Sequence, residues 1–428
     1  MVELLQHLNA QRDSALTLIE KHNALLASFL GLGGARPGST LIQAARPAHA
    51  ALPAPRVDTP VVTERKKGNV VSLFDYKKQT SDSTATPSAA KPYLVFNEND
   101  AESLRLWGKV IEELLATYGA DDALAINRKQ LADTIFLSAA KTALFYHKSH
   151  SGVLFAACYV GADEHYAETL RELKAYADDN DLQVNLMAQE ARVNDLKACG
   201  FSTTPLGIWQ RIEPLSAFTL EGQAMRRLRY MVSKYAKSGV CKTIEYAPGT
   251  APDTDKAICE VIDQWVELKG KTPPFVIDVK AQIMRGGISQ DHRFFLTYRD
   301  GAIDNVMVFS RDNFNNGYLM DLEFYAKDLP LGSTEFALNE IIECFRKEGR
   351  QVVSLGLTMG TELFEHENCS KDVFVFFEQL KKANFLNGDA NAQYKNKYRP
   401  VTTVMHLARP HDSGKKKLND LMLVLGSA

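Results

Sequence analysis

From residue 93 to residue 410 the chain alternates apolar patterns of helical period with patterns of strand period, and the alternation starts afresh near residue 214. Amphipathic helices interleaved with strands bury their apolar faces by layering helices on a sheet, which restricts the fold to the α/β (α+β) class. In residues 93–213 the spacing predicts helices over Glu102–Tyr118, Glu164–Asp178 and a run from Ala191 that ends at Gly200. It predicts strands over Ala132–Leu137, Thr142–Tyr146, Gly152–Val160, Leu182–Ala188 and Gly207–Ile212. In residues 214–410 helices are expected at Asp255–Lys269, Thr334–Lys347 and Val373–Ala383. Strands are expected there at His292–Tyr298, Ala302–Ser310, Tyr318–Glu323, Val352–Leu357 and Thr402–Leu407, with Arg299-Asp300-Gly301 as a hairpin turn.

The flanks read differently. Residues 1–32 carry leucines near helical spacing until Gly31, Gly33 and Gly34 end the run. Residues 33–92 are rich in Pro, Ala and Ser and read as a disordered linker. The first helix is therefore expected either to pair with a second copy or to dock a carrier or assembly-line partner, or else to be a terminal helix without consequence. Residues 411–428 read as a tail that is mobile at least in part. There is no run of about 18 apolar residues, so no membrane span is expected. The N-terminus has no basic stretch followed by an apolar one, so no secretory signal is expected. The 6 cysteines form no CxxC pair, which fits reduced cytoplasmic thiols and neither a disulfide framework nor a zinc site.

The net charge is -2, so any attraction to a polyanion must be local. One segment supplies it. Phe218 to Gly239 reads as a helix with Arg226, Arg227, Arg229, Lys234 and Lys237, while Leu220, Met225, Leu228, Met231, Val232 and Tyr235 recur at helical spacing. One face can pack inward while the other presents cations to RNA; the plainer alternative is a solvated surface helix.

Two resemblances follow from particular residues. In 93–213, the order of strand, helix, strand, helix and closing strand, with Asn194 near the start of the second helix and Gly200-Phe201 at its end, resembles the second half of a GNAT acyltransferase domain. Residues 214–410 resemble the catalytic C-terminal domain of phosphatidylglycerol lysyltransferases, a tandem-GNAT family of aminoacyl-tRNA-dependent transferases. The matching residues are Phe218-Thr-Leu-Glu-Gly with Met225-Arg-Arg-Leu-Arg229, Trp265 with Lys269-Gly270 and Phe275, Leu319-Met-Asp-Leu322, Gly349 with Ser354-Leu-Gly356, and Tyr394-Lys-Asn-Lys-Tyr-Arg-Pro400. The resemblance implies two tandem GNAT-like domains, 93–213 and a catalytic 214–410, each a mixed twisted sheet flanked by helices. It implies transfer of an amino acid from aminoacyl-tRNA, with no cofactor beyond that co-substrate. The sequence departs from the family at Glu323-Phe324, where family members often carry Met-Arg after Met-Asp-Leu. The family's membrane domain is also missing from this sequence, so the expected acceptor is soluble: an amino acid, a peptide or a natural-product intermediate.

On that resemblance Asp321 and Glu323 are the candidate catalytic residues, and their spacing puts them on one face of a strand. Asp321 would bind the α-amino group or act as a general base; the alternative for either carboxylate is a surface ion pair. Trp265, Lys269, Ser354 and Gly356 are the candidate substrate-binding residues, although Trp265 also suits a core and Lys269 a helix cap. Arg226, Arg229, Lys234 and Lys237, with a second cluster of Lys395, Lys397 and Arg399, are the candidate tRNA grip. Tyr394 and Tyr398 beside that cluster equally suit a core. His292 and His366 have no Ser or Cys partner pattern, and no metal-ligand cluster is present. Leu329-Pro-Leu-Gly332-Ser-Thr334 keeps only one glycine of a CoA-binding loop. An acyltransferase fed by CoA or by a carrier-protein thioester is the main alternative, and a non-catalytic RNA-binding scaffold is the third reading.

Overall fold

The computed structural model describes residues 93–410, apart from 127, 149–151, 271–273, 362–368 and 383–387. The expectations for 1–32, 33–92, 411–428 and His366 lie outside the described residues.

All twelve described strands form one sheet, built as two similar halves. The first half contributes β1 (Leu94–Asn97), β2 (Thr134–Leu137), β3 (Ala143–Lys148), β4 (Val153–Val160), β5 (Gln183–Gln189) and β6 (Phe201–Ile212). The second contributes β7 (Cys241–Tyr246), β8 (His292–Arg299), β9 (Ala302–Asp312), β10 (Gly317–Tyr325), β11 (Val352–Met359) and β12 (Val401–Pro410). Their order is β1-β2-β3-β4-β5-β12-β6-β11-β10-β9-β8-β7. Only β4–β5 and β10–β11 are parallel; the other neighbours run antiparallel. Each half lends its last strand to the other: β6 lies against β11, β12 lies against β5, and the two pair with each other in the middle. Neither half can therefore complete its hydrogen-bond ladder alone.

The helices are α1 (Ala101–Tyr118), α2 (Arg128–Leu131), α3 (Tyr166–Asp179), α4 (Val193–Ala198), α5 (Arg226–Ala236), α6 (Pro252–Lys269), α7 (Pro274–Arg285), α8 (Ser333–Lys347), α9 (Lys371–Lys382) and α10 (Gly388–Asn396). They cover both faces of the second half of the sheet. Phe295, Met307 and Phe309 pack under Leu228 of α5 and Ile341 and Phe345 of α8. Phe294, Leu296, Val306 and Val308 point the other way, onto Ile258 and Ile262 of α6 and Val276 and Ile283 of α7. A strand buried on both sides needs such unbroken apolar runs. In the first half Leu170 and Leu173 of α3 and Leu196 of α4 pack on Phe136, Leu144 and Leu186.

The expected α/β architecture of two similar units, each with a mixed sheet flanked by helices, is present. The hairpin turn is too, with Asp300 at φ 52 and Gly301 at φ 88, as a type I′ connection requires. The sequence pattern does not disclose β1, β7, α2, α7 or α10. The basic helix is shorter than expected, starting at Arg226 and not at Phe218, since Gly222 takes a left-handed φ of 80 that no helix continues through. Among the described residues no helix is long and apolar enough to cross a membrane, and no group of three or more His, Cys, Asp or Glu side chains gathers as a metal site.

Candidate functional site: a charged gap between β10 and β11

β10 and β11 pair only over Gly317–Leu319 and Val352–Ser354. Beyond that point β10 stays with β9 and β11 stays with β6, so a gap opens between them. Diverging strands leave backbone groups that need other partners. In this gap the partner is a buried lysine. Lys395, near the end of α10, donates from Nζ to the carbonyls of Gly356 and Leu357, each at 3.2 Å, and to Thr358 Oγ1 at 3.0 Å.

Asp321 is the extra residue of a β-bulge where the β9–β10 register shifts between Met320 and Leu322. Bulges re-aim side chains. Here the carboxylate turns to Oδ2 contacts with the backbone N–H of Ile126, at 2.7 Å, and with the hydroxyl of Ser310. Ile126 belongs to a first-half segment laid over the second half, where His292 Nε2 also meets the carbonyl of Leu124 at 2.9 Å. Burial holds the Asp321 carboxyl above the usual carboxylate range, against the opposing pull of those two hydrogen bonds and of His292.

Glu323 lies two residues on and differs in kind. Its carboxyl makes no hydrogen bond among the described residues, and burial, reinforced by repulsion from Glu335, pushes it up to about 7. Lys269, Lys397 and Lys395 pull the other way. Glu335, in the first turn of α8, is buried and paired with Lys397 at 2.6 Å. Lys397 also sits 4.9 Å from the ring centroid of Tyr394, which packs edge-on to Tyr398. On the outer rim Lys269 Nζ lies 5.3 Å from the Trp265 ring and 5.7 Å from that of Tyr325. The gap thus holds three carboxyls, Asp321 held by its two hydrogen bonds, Glu335 paired with Lys397 and Glu323 pushed up to about 7, together with three ammonium groups.

Beside this gap lies the basic face of α5. Leu228, Met231 and Tyr235 are buried, and α5 crosses so close to the start of α8 that a Cβ on Gly332 would fall 2.1 Å from the Met231 carbonyl oxygen. Arg226, Arg227, Arg229, Tyr230, Lys234 and Lys237 are exposed. Arg229 folds back onto the carbonyls of Leu220 and Gly222, whereas Arg226, Arg227, Lys234 and Lys237 form no ion pair among the described residues. Arg226, Arg227, Tyr230 and Arg399 line a shallow hollow of about 400 Å³.

With this geometry in view, the comparison with known families is decisive. The family described as "Phosphatidylglycerol lysyltransferase, C-terminal" matches residues 113–408. The chain belongs to this family. Membership places it among acyl-group transferases. In fold it is similar to the C-terminal domain (DUF2156) of a putative lysylphosphatidylglycerol synthetase from Agrobacterium fabrum, with TM-score 0.57 and 17% identity over 75% of this chain and 98% of that one. It is similar too to L-PGS from Bacillus licheniformis, with TM-score 0.58 and 16% identity over 77% and 97%. A conserved protein of unknown function from Bacteroides thetaiotaomicron shares the fold at TM-score 0.53 and 12% identity over 74% and 100%. No curated protein matches the chain.

Within this family member the structure sorts the sequence-derived candidates. Asp321, Glu323, Lys269 and Trp265 gather around one gap. Lys395 and Lys397 join them, and this corrects their assignment to an outward tRNA grip: Lys395 is only 4% exposed and caps β11, and Lys397 is tied to Glu335. Ser354 is likewise corrected as a substrate contact, because its buried hydroxyl already accepts from Trp209 Nε1 at 2.8 Å and from the Gly356 N–H at 3.2 Å. Gly356 serves the bulge in β11 with a φ of 74, and its carbonyl is taken by Lys395. Glu335 and Ser310 were not foreseen. Their only sequence signal is a polar residue amid an apolar run, Glu335 before Phe336-Ala-Leu and Ser310 after Val308-Phe309.

Proposed function

We propose that this chain moves an aminoacyl group from aminoacyl-tRNA to the amine of a small soluble acceptor. The observation that carries the reading is the α5 face, where Arg226, Arg227 and Arg399, none of them in an ion pair among the described residues, and the exposed ring of Tyr230 line a hollow beside the charged gap, with Lys234 and Lys237 farther along the same helix. Cations free of internal partners are what phosphate binding requires, and an exposed ring suits base stacking.

The ester of an aminoacyl-tRNA is already activated. The acceptor nitrogen bonds to the ester carbonyl carbon, the carbon–oxygen bond to the ribose breaks, and the ribose oxygen leaves with a proton. Glu323, ionised above about pH 7, takes the proton that the amine loses. Asp321 is a positioning residue in this scheme: with Oδ2 occupied by Ile126 and Ser310, it fixes the first-half segment against β10. Lys269, on the rim, stabilises charge near the ester. The loop before α8 weighs against CoA as donor, since α5 crosses over Gly332 and Glu335 brings negative charge to the turn where a pyrophosphate would sit.

The test is tRNA binding against salt. An R226A/R227A double variant should bind an aminoacyl-tRNA about tenfold more weakly at low salt, and the slope of log K on log salt should fall by roughly 1–2. Unchanged affinity and slope in a folded variant would remove the tRNA reading.

A further inference from the structure

The hollow at the start of α5 is more than a basic patch. Tyr230 follows Arg226 by four residues and Arg227 by three, so the three side chains share one stretch of the helix surface. Tyr230 is 58% exposed, although the same helix buries Leu228, Met231 and Tyr235. An exposed ring beside guanidinium groups offers a face for stacking and charge for a phosphate at one place.

Arg399 adds a wall from a distant part of the chain. Its backbone takes a φ of 53, a left-handed setting that residues with a side chain seldom adopt. Its N–H donates to the carbonyl of Asn396 at 3.2 Å, which closes a turn at the end of α10. That turn sends neighbouring basic side chains to different places. Lys397 goes to Glu335 in the charged gap, while the Arg399 guanidinium reaches the hollow and meets the carbonyl of Ala224 at 3.5 Å. A single turn of chain therefore joins the hollow to the gap.

On the reading that the donor is an aminoacyl-tRNA, on which this inference rests, we propose that the hollow holds an unpaired nucleotide of the donor RNA. Its base stacks on the Tyr230 ring and its phosphate lies among Arg226, Arg227 and Arg399. A duplex cannot use the site in this way, because neighbours in the stack cover its base faces, and phosphates alone would leave the ring unused. The aminoacyl ester sits on the unpaired end of a tRNA, so a nucleotide of that end held here brings the ester to the gap. Selection is by single-strandedness and not by sequence, since every base has a face to stack.

The probes are fluorescein-labelled RNAs that share one hairpin stem. One ends in an unpaired ACCA, another carries abasic riboses throughout the same overhang, and the last is blunt. Binding to the full chain is followed by anisotropy across a salt series. The ACCA overhang should bind about tenfold more tightly than the abasic overhang, which carries the same phosphates, and more tightly than the blunt stem. Tyr230→Ala should erase that preference without changing the salt slope, and Tyr230→Phe should keep it. Arg399→Gln should lower the slope by roughly 1 and leave the preference in place. Equal, salt-sensitive binding of the ACCA and abasic overhangs, a blunt stem bound as tightly as the ACCA overhang, or a preference that survives Tyr230→Ala would overturn this proposal and leave the tRNA reading standing. Binding of none of these RNAs would overturn both.

Discussion

The two halves of the sheet open the same gap and fill it in opposite ways. In each, four antiparallel strands lead to one parallel pair that separates after a few residues. Between β10 and β11 the gap is occupied by Lys395, which caps the freed carbonyls, and by a cluster of buried charge around Glu323, Glu335 and Lys397. Between β4 and β5 it stays hollow, walled by aromatic rings and two guanidiniums. A parting of parallel strands therefore creates a place for chemistry, and the side chains on the strands and the following helix decide what kind. A carboxyl pushed toward neutral pH by burial and a like-charged neighbour suits proton transfer; a hollow walled by aromatic rings suits binding.

The largest expected effect separates these roles. Glu323→Gln should lower aminoacyl transfer by about 10²–10⁴-fold while leaving the fold intact. The parent rate should rise with pH and level off above about 7, because the base form is the ionised one; that rising limb should vanish in the variant. The sign of the stability effect is also fixed. With a folded-state value raised to about 7 from 4.5, the fold carries the cost of the buried charge at pH 8 and not at pH 4. The variant should thus melt higher than the parent at pH 8 and level with it at pH 4. A pH-independent melting difference would mean that Glu323 is not the group that titrates.

Next in size is the plug itself. Lys395→Met keeps the aliphatic stem but strips the donor from Gly356, Leu357 and Thr358. A buried charged hydrogen-bond donor of this kind is worth about 3 kcal/mol, so denaturant unfolding should show a loss of that order. Were Lys395 a phosphate-binding surface residue instead, the variant would keep its stability and lose tRNA affinity.

The layered fold was legible because its signals are local. Unbroken apolar runs in β8–β10 and an apolar period of 3.6 in α6 and α8 mark segments that are buried over much of their length. β7 was hidden because it is a mostly exposed edge strand, Cys241-Lys-Thr-Ile-Glu-Tyr246, with little apolar alternation. The exchange of β6 and β12 joins residues some two hundred positions apart, and no local pattern encodes such pairing. The misplacement of Lys395 and Lys397 has a similar cause. Composition marks them as basic, but only the short α10, ending at Asn396, turns both inward onto β11 and Glu335. Asp321 and Glu323 were legible as a pair on one strand, yet their division into a fixed carboxylate and an unbonded one depends on the bulge at Asp321 and on Ile126, nearly two hundred residues away.

The smallest effect probes how far the two gaps are independent. Trp209 belongs to both: its ring lines the β4–β5 hollow and packs with Leu319 and Met405, while its Nε1–H donates to Ser354 on β11. Trp209→Phe retains most of the ring and removes that hydrogen bond. Ser354 still accepts from the Gly356 N–H, so the loss of stability should be only about 1 kcal/mol. Combined with Ser354→Ala, the pair should show a coupling of about 0.5–1.5 kcal/mol in denaturant unfolding, since each variant removes the same bond. If the hollow and the charged gap work separately, Trp209→Phe should leave the pH profile of transfer in place. A shift of that profile would instead mean that the wall between the gaps carries the state of one to the other, through Ser354 and the turn of β11 at Gly356 that Lys395 holds.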